Sequence, residues 1–296
     1  MTMRKKDAFT DFHPLVNMLY FVLVIGCSFV LMHPVCLGVS LACGVSYMLL
    51  LDGRKALRIC LLFLLPVLLL TVFVNPAFSH QGATILTYFP NGNPITLESI
   101  LYGVAAACML VTVISWFRCF TAIMTSDKFV YLFGRVIPAL SLVLSMALRF
   151  APRFAAQAKV ISAAQKGIGR DISQGSLLQK AKHSLRILSI LITWALENAI
   201  DTADSMKSRG YGLPGRSAFS IFRFEKRDRL ALAFLLLCGG SLILGIALDR
   251  LKFDYYPLVG GAWETWSFAL FAVYTALCAL PLLINLREDV RWKAHA

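Results

Sequence analysis

Residues 12–51 form a run of forty residues without a single Asp, Glu, Lys or Arg. One helix crosses a hydrocarbon core of about 30 Å with about twenty residues, so this run is long enough for two crossings. His33-Pro34 lies near its middle, where a proline ends one helix and starts the next. The run therefore predicts two membrane spans, near residues 15–31 and 34–51, and it excludes a soluble fold for this segment.

The rest of the chain repeats this pattern of apolar runs bounded by charge. Overall, 58% of the residues are apolar and only 15% are charged, whereas soluble domains carry roughly 25% charged residues. Four further apolar runs predict spans near residues 58–74, 99–117, 230–248 and 265–286. We therefore predict an all-α integral membrane protein with about six transmembrane helices.

The basic residues are distributed unevenly between the predicted loops. The chain has 29 Lys and Arg against 16 Asp and Glu, and residues 118–229 hold 18 of the 29, whereas residues 75–98 hold none. In so apolar a chain this surplus indicates membrane orientation rather than nucleic-acid binding, because positive loops stay in the cytoplasm. We predict that both termini and residues 118–229 are cytoplasmic. Residues 1–117 and 230–296 are then two membrane parts around a cytoplasmic region.

Two stretches of the cytoplasmic region, 136–148 and 187–196, are apolar as well. Neither reaches eighteen uncharged residues, and two crossings would place the eight positive charges between them outside the cell. We therefore interpret both stretches as parts of long amphipathic helices that lie against the membrane or a partner.

The second of these helices can be traced from its apolar spacing. It begins after Ser176, a favourable N-cap residue, and ends at Gly210, a favourable residue just past a helix end. A stripe of apolar residues three and four positions apart predicts one continuous face, which is suited either to a partner or to the protein's own core. We call this predicted helix, residues 177–209, α8 and its apolar face the α8 stripe; the members of the stripe are Leu177, Ala181, Leu185, Leu188, Ile192, Ala195 and Ala199.

Both long helices end in a tip that combines basic residues with glycine. A cation in the last helical turn is favoured by the helix dipole, so each tip on its own is an ordinary helix ending. Tip 1 consists of Lys166, Gly167, Ile168, Gly169 and Arg170, and tip 2 consists of Ser208, Arg209 and Gly210.

Three segments carry a resemblance to a known family. They read Ala-Leu-Arg-Phe-Ala-Pro at 147–152, Ala-Gln-Lys-Gly-Ile-Gly at 164–169 and Met-Lys-Ser-Arg-Gly-Tyr-Gly at 206–212. In this context the chain resembles the transmembrane T component of energy-coupling-factor (ECF) transporters, which carries a short Ala-Arg-Gly signature at the end of each coupling helix. Tip 2 departs from it only by Ser208 in place of alanine. Tip 1 departs further, because Ile168 stands where the family has arginine.

The resemblance implies the T subunit of an ECF-type ABC importer for a vitamin or a metal-ion micronutrient. It implies that each tip docks into a groove of one of two cytoplasmic ATPase subunits. At tip 1, it leaves open whether Lys166 or Arg170 supplies the charge that Ile168 lacks. The α8 stripe is the implied contact face for a small substrate-binding membrane subunit, the S subunit.

The sequence carries no site for chemistry of its own. It has no G-x-x-x-x-G-K-[ST] phosphate loop, and its cysteines and histidines are scattered without the spacing of metal ligands. We therefore predict a non-catalytic subunit without cofactor or metal. Two alternatives stay open: an intramembrane lipid-modifying enzyme that uses Glu197, Asp201 and Asp204, and a self-sufficient secondary transporter, which is expected to show internal repeats or broken helices.

Overall fold

The computed structural model describes residues 7–79, 81–88, 94–170, 176–211, 213, 222–257, 259–261 and 264–295. The apolar helices are α1 (Pro14–Val30), α2 (Pro34–Asp52), α3 (Arg54–Ile59), α4 (Leu65–Phe78), α5 (Leu97–Ile123), α9 (Lys226–Ala247) and α10 (Thr265–His295), and a π-helical turn, Cys60–Leu64, joins α3 to α4. The amphipathic helices are α6 (Ser126–Val136), α7 (Pro138–Gly167) and α8 (Leu177–Ser208). Two short antiparallel ribbons pair β1 (Ile85–Tyr88) with β2 (Pro94–Thr96) and β3 (Phe253–Asp254) with β4 (Gly260–Gly261).

The predicted fold class is confirmed. Among the described residues, five helices are long and apolar enough to cross a membrane: α2, α5, α9, α10 and the continuous helix from α3 to α4, which has 25 residues. Helix α1 is a shorter apolar helix of 17 residues. Two helices extend beyond the predicted spans: α5 continues past Arg118 to Ile123, and α10 continues past Arg287 to His295. Arg118 pairs through its guanidinium with Asp52 at the end of α2, with Nη2 and Oδ2 2.9 Å apart.

The first two spans begin with the same local device. Pro34 opens α2, as the sequence predicted, and the structure shows His33 as its N-cap. His33 Nδ1 accepts the backbone N–H of Val35 at 3.3 Å, and His13 Nδ1 accepts that of Leu15 at 3.2 Å in front of α1. Burial lowers the pKa of His33, which favours the neutral imidazole that this cap requires.

A chain of buried polar side chains links four apolar helices. The indole N–H of Trp116 in α5 donates to Ser40 Oγ in α2 at 3.0 Å. Ser40 and Ser28 in α1 have their hydroxyl oxygens 2.8 Å apart, and Ser28 lies 2.9 Å from the Tyr274 hydroxyl in α10. Interhelical hydrogen bonds in membrane proteins are worth about 0.6 kcal/mol each. The chain therefore fixes how α1, α2, α5 and α10 are rotated against each other more than it adds stability.

The segment in front of α1 is fixed by two carboxylates. Asp7 accepts hydrogen bonds from the Tyr47 hydroxyl in α2, at 3.0 Å, and from the Asn285 amide in α10. At the other end, Asp228 at the start of α9 accepts the backbone N–H of His13 at 3.1 Å and is itself buried. These contacts tie the segment to α2 and to α9 and α10, of which the last two are more than two hundred residues away in the sequence.

The chain divides into two compact units. One comprises Met1–Thr125 with Phe222–Ala296, and the other is Ser126–Ile221, which contains α6, α7 and α8. The division at 117 and 229 that the charge pattern predicts, and the cytoplasmic position of the region between, stay predictions.

Candidate docking site on the long helices

The two long helices predicted from the sequence are α7, of 30 residues, and α8, of 32 residues. Ser176 is the N-cap of α8, as predicted: its Oγ accepts the backbone N–H of Gln179 at 3.4 Å, and Gln179 Oε1 accepts the backbone N–H of Ser176 at 3.1 Å. With these end groups satisfied, α8 extends about 48 Å at 1.5 Å per residue.

Helices α7 and α8 pack as an antiparallel hairpin. The rings of Phe154 and Trp194 meet edge to face, with their centroids 5.7 Å apart. A small pocket of about 60 Å³ beside them is lined by Phe150, which precedes Phe154, and by Asn198, which follows Trp194. Residues that come earlier in α7 thus lie beside residues that come later in α8.

Because the helices are antiparallel, the two tips lie at opposite ends of the hairpin. Ile168 lies 14 residues beyond Phe154 along the chain, and Arg209 lies 15 residues beyond Trp194. At 1.5 Å per residue these stretches measure about 21 Å and about 22 Å, so the tips lie about 43 Å apart along the hairpin. The ring contact lies close to the midpoint between them.

Tip 2 ends α8 with a Schellman motif. The backbone N–H of Gly210 donates to the Lys207 carbonyl and that of Tyr211 to the Met206 carbonyl, both at 3.0 Å. Gly210 has φ of +74°, a left-handed conformation that glycine adopts without a Cβ penalty. The motif places Arg209 at the C-cap, the last residue before the chain turns away.

Tip 1 ends α7 with the same motif. The backbone N–H of Gly169 donates to the Lys166 carbonyl and that of Arg170 to the Gln165 carbonyl, again both at 3.0 Å. Gly169 has φ of +79°. Ile168 therefore occupies at tip 1 the C-cap position that arginine occupies at tip 2.

The glycines of tip 1 make a matched pair for a test of this cap. Gly169→Ala places a Cβ on a left-handed residue and is expected to destabilise the end of α7 by about 1 kcal/mol. Gly167→Ala is expected to stabilise it by up to about 1 kcal/mol, because Gly167 is helical and no atom lies within 4 Å of the added Cβ. Hydrogen exchange of the last-turn amides of α7 measures both effects. Equal protection in the two variants would contradict the assigned cap.

The exposed side chains of the two tips differ in charge and polarity. Ser208 Oγ donates to the Ser205 carbonyl at 2.9 Å and so caps its own helix. Arg209 is exposed and forms no ion pair within the described residues. Ile168 is 62% exposed, although it is a large apolar residue. At both tips the C-cap side chain, Arg209 or Ile168, is therefore accessible to a partner.

The α8 stripe is not the face by which α8 packs in this chain. Leu177 is 87% exposed and Leu185 is 65% exposed. The interpretation of the stripe as a buried face is wrong for its first five members, and only Ala195 and Ala199 line the hairpin pocket. At 100° per residue the packed face lies about a quarter of a turn away from the stripe. An apolar face of α8 therefore remains uncovered within the described residues.

The residues that hold the hairpin together were not found from the sequence. They are Phe150 and Phe154 in α7 and Trp194 and Asn198 in α8. The two in α8 lie one position before Ala195 and Ala199 of the α8 stripe, and Asn198 interrupts the apolar pattern there. Aromatic residues on facing sides of both long helices would have been the signal for them.

The three carboxylates considered for an enzyme do not converge on a site. Glu197, Asp201 and Asp204 are all exposed along α8. Across the part of the chain that the structure describes, no group of three His, Cys, Asp or Glu residues is arranged to hold a metal ion. The geometry therefore gives no support to metal-assisted chemistry at these residues.

Comparison with known proteins identifies the family. The family model for CbiQ, described as cobalt transport protein, matches residues 11–221. The chain belongs to this family. The match includes both tips and the α8 stripe, and it confirms the resemblance to the T component of ECF transporters. Gly212, the last residue of the third resembling segment, lies outside the described residues.

Individual relatives carry the same role in their names. The energy-coupling factor transporter transmembrane protein EcfT of Lactobacillus helveticus is 37% identical over 109 residues, which are 36% of this chain and 39% of that protein. EcfT 1 of Listeria monocytogenes is 28% identical over 214 residues, or 68% and 76%. EcfT of Bacillus selenitireducens is 27% identical over 216 residues, or 67% and 80%.

The extent of these matches differs. The chain covers only 39% to 41% of the length of the EcfT proteins of L. helveticus, Lactococcus lactis and Lacticaseibacillus paracasei. The family and the relatives together make this chain a multi-pass membrane protein of the T-component type of ECF transporters.

Proposed function

We propose that this chain couples ATP hydrolysis by two partner ATPase subunits to movement of a substrate-binding S subunit in the membrane. In this function the chain catalyses no reaction itself. Its long helices transmit force, and its apolar helices anchor them to the bilayer. Tips 1 and 2 contact the ATPases, and the α8 stripe contacts the S subunit.

The observation that carries the proposal is the placement of two equivalent helix ends at opposite ends of one hairpin. Their separation along the hairpin, about 43 Å, is close to the centre-to-centre spacing of two adjacent globular subunits of about 250 residues, each with a diameter of about 45 Å. A change in the distance between the subunits would then rotate or tilt the hairpin.

The chemistry of tip 2 suits insertion into a protein groove. Arg209 presents a planar guanidinium with five N–H donors to carboxylates or carbonyls, which lysine cannot reproduce. Its backbone is held by the glycine cap, so the side chain projects from a defined point. Tip 2 therefore supports a specific contact rather than a general attraction of charge.

The α8 stripe suits a partner that is itself apolar. Leu188 and Ile192 are 50% and 51% exposed, and they continue the line of Leu177 and Leu185. Exposed apolar patches of this kind mark contacts with other proteins or with the membrane. A membrane-embedded S subunit supplies an apolar surface next to the tips that the ATPases move.

The remaining features of the proposal follow from charge and family. We propose that both termini and residues 118–229 face the cytoplasm, because the basic residues concentrate there. The imported substrate is a vitamin or a metal-ion micronutrient, held by the S subunit. The CbiQ family description names cobalt transport, and the EcfT relatives name energy coupling.

Affinity purification of the tagged chain from native membranes in mild detergent tests the proposal. We expect two ATPase subunits and one small membrane protein to copurify. Ile192→Glu places a charge on the α8 stripe and is expected to reduce recovery of the small membrane protein at least about tenfold while the ATPases are retained. Thr193→Glu, the next residue and exposed off the stripe, is the matched control and leaves both in place. A chain that purifies alone and still transports a solute would overturn the proposal.

A further inference from the structure

The hydrogen bonds of the two caps align the tips residue by residue. In each tip the residue after the left-handed glycine donates to the third-last helical carbonyl, and the left-handed glycine itself donates to the second-last. In this alignment Ile168 matches Arg209, and Lys166 matches Lys207. Lys166 is thus common to both tips and does not replace the missing arginine.

Arg170 does not take the arginine position either. It follows the left-handed Gly169, and its backbone N–H is engaged with the Gln165 carbonyl. Its counterpart at tip 2 is Tyr211, on the far side of the turn. The side chain at the end of tip 1 is therefore that of Ile168, an apolar group 62% exposed.

We propose that the two tips dock into chemically different grooves. Arg209 takes a groove that offers carboxylates or carbonyls, whereas Ile168 takes an apolar groove without an acidic group. The inference rests on the proposed function, since it concerns the same two ATPase contacts. A groove that buries a guanidinium is unfavourable for an aliphatic side chain, because the acidic groups of the groove would lose water without gaining a partner. The two ATPase surfaces that receive the tips are then not interchangeable.

Salt dependence of the single-tip contacts tests this difference. Arg209→Ala leaves only the contact of tip 1, and Ile168→Ala leaves only that of tip 2. Recovery of the copurifying ATPases is measured between about 50 mM and about 500 mM NaCl, since salt weakens the association of a charged side chain with its groove more than that of an apolar one. We expect a fall of at least about tenfold for Ile168→Ala and less than about twofold for Arg209→Ala. Equal salt dependence of the two variants would overturn the inference.

A second set of variants addresses the residue directly. Ile168→Arg is expected to reduce ATPase recovery at least about tenfold by bringing an unpaired charge into an apolar groove, whereas Ile168→Leu keeps it within about twofold. Unchanged or stronger binding of Ile168→Arg would contradict the apolar groove. So would a large loss in Lys166→Ala or Arg170→Ala. If no ATPase copurifies with the unmodified chain, the proposed function itself fails, which separates the two outcomes.

Discussion

Replacing Arg209 with glutamate is expected to reduce copurification of the ATPase subunits at least about 30-fold. Removing one partner of a buried, hydrogen-bonded charge pair at an interface costs at least about 2 kcal/mol, and reversal of the charge adds repulsion. The fold of the chain is expected to stay intact, because Arg209 is exposed and forms no ion pair within the described residues. The measurement is quantitative recovery of each ATPase with the tagged chain, together with its melting temperature in detergent.

Two controls separate docking at Arg209 from a general charge effect. Arg186→Glu makes the same change at an exposed position in the first third of α8, and we expect recovery within about twofold of the unmodified chain. Arg209→Lys keeps the charge but loses the planar guanidinium, so we expect an intermediate loss. Equal losses for Arg209→Glu and Arg186→Glu would indicate electrostatic attraction without a specific tip contact.

Replacing Trp116 with alanine is expected to lower the stability of the membrane part by about 3–5 kcal/mol. Trp116 is fully buried, and its indole packs against Gly44, where an added Cβ would lie 3.2 Å from Nε1. The substitution opens a cavity beside Gly44 and removes the hydrogen bond to Ser40. Thermal unfolding of the purified chain in detergent should show a midpoint lower by about 10 °C.

The neighbouring residue provides the matched control for this prediction. Phe117 follows Trp116 in α5, but it is 49% exposed on the outer surface of the helix. Phe117→Ala removes a similar aromatic group from an apolar surface without opening a cavity, so we expect a midpoint change of less than about 3 °C. Similar losses in both variants would mean that Trp116 is not the centre of the packed core.

The structural differences between the tips have a consequence for the family signature. Sequence comparison alone treats Ile168 as a defect of the first Ala-Arg-Gly signature. The cap geometry shows instead that the backbone of tip 1 is complete, because both hydrogen bonds and the left-handed glycine are present. Only the projecting side chain has changed. A change confined to that side chain is expected if the ATPase groove that receives tip 1 differs from the groove that receives tip 2.

The amino-acid sequence by itself determined the class of the fold and the ends of the long helices. The uncharged run at 12–51 is too long for one crossing and too apolar for water, so its division at His33-Pro34 follows from bilayer thickness and the backbone of proline. Ser176 likewise predicts the start of α8, because caps are made by residues close in sequence. Such local features are readable without knowing what packs where.

Tertiary structure alone decided which face of α8 is covered and how the distant segments join. The stripe and the packed face have the same three- and four-residue spacing, so periodicity cannot tell which of the two faces is covered. The contact of Trp194 with Phe154 identifies the covered face. In the same way the ion pair of Arg118 with Asp52 joins α5 to α2. Both decisions depend on partners far away in the chain, and the pairing of distant residues is not encoded in local spacing.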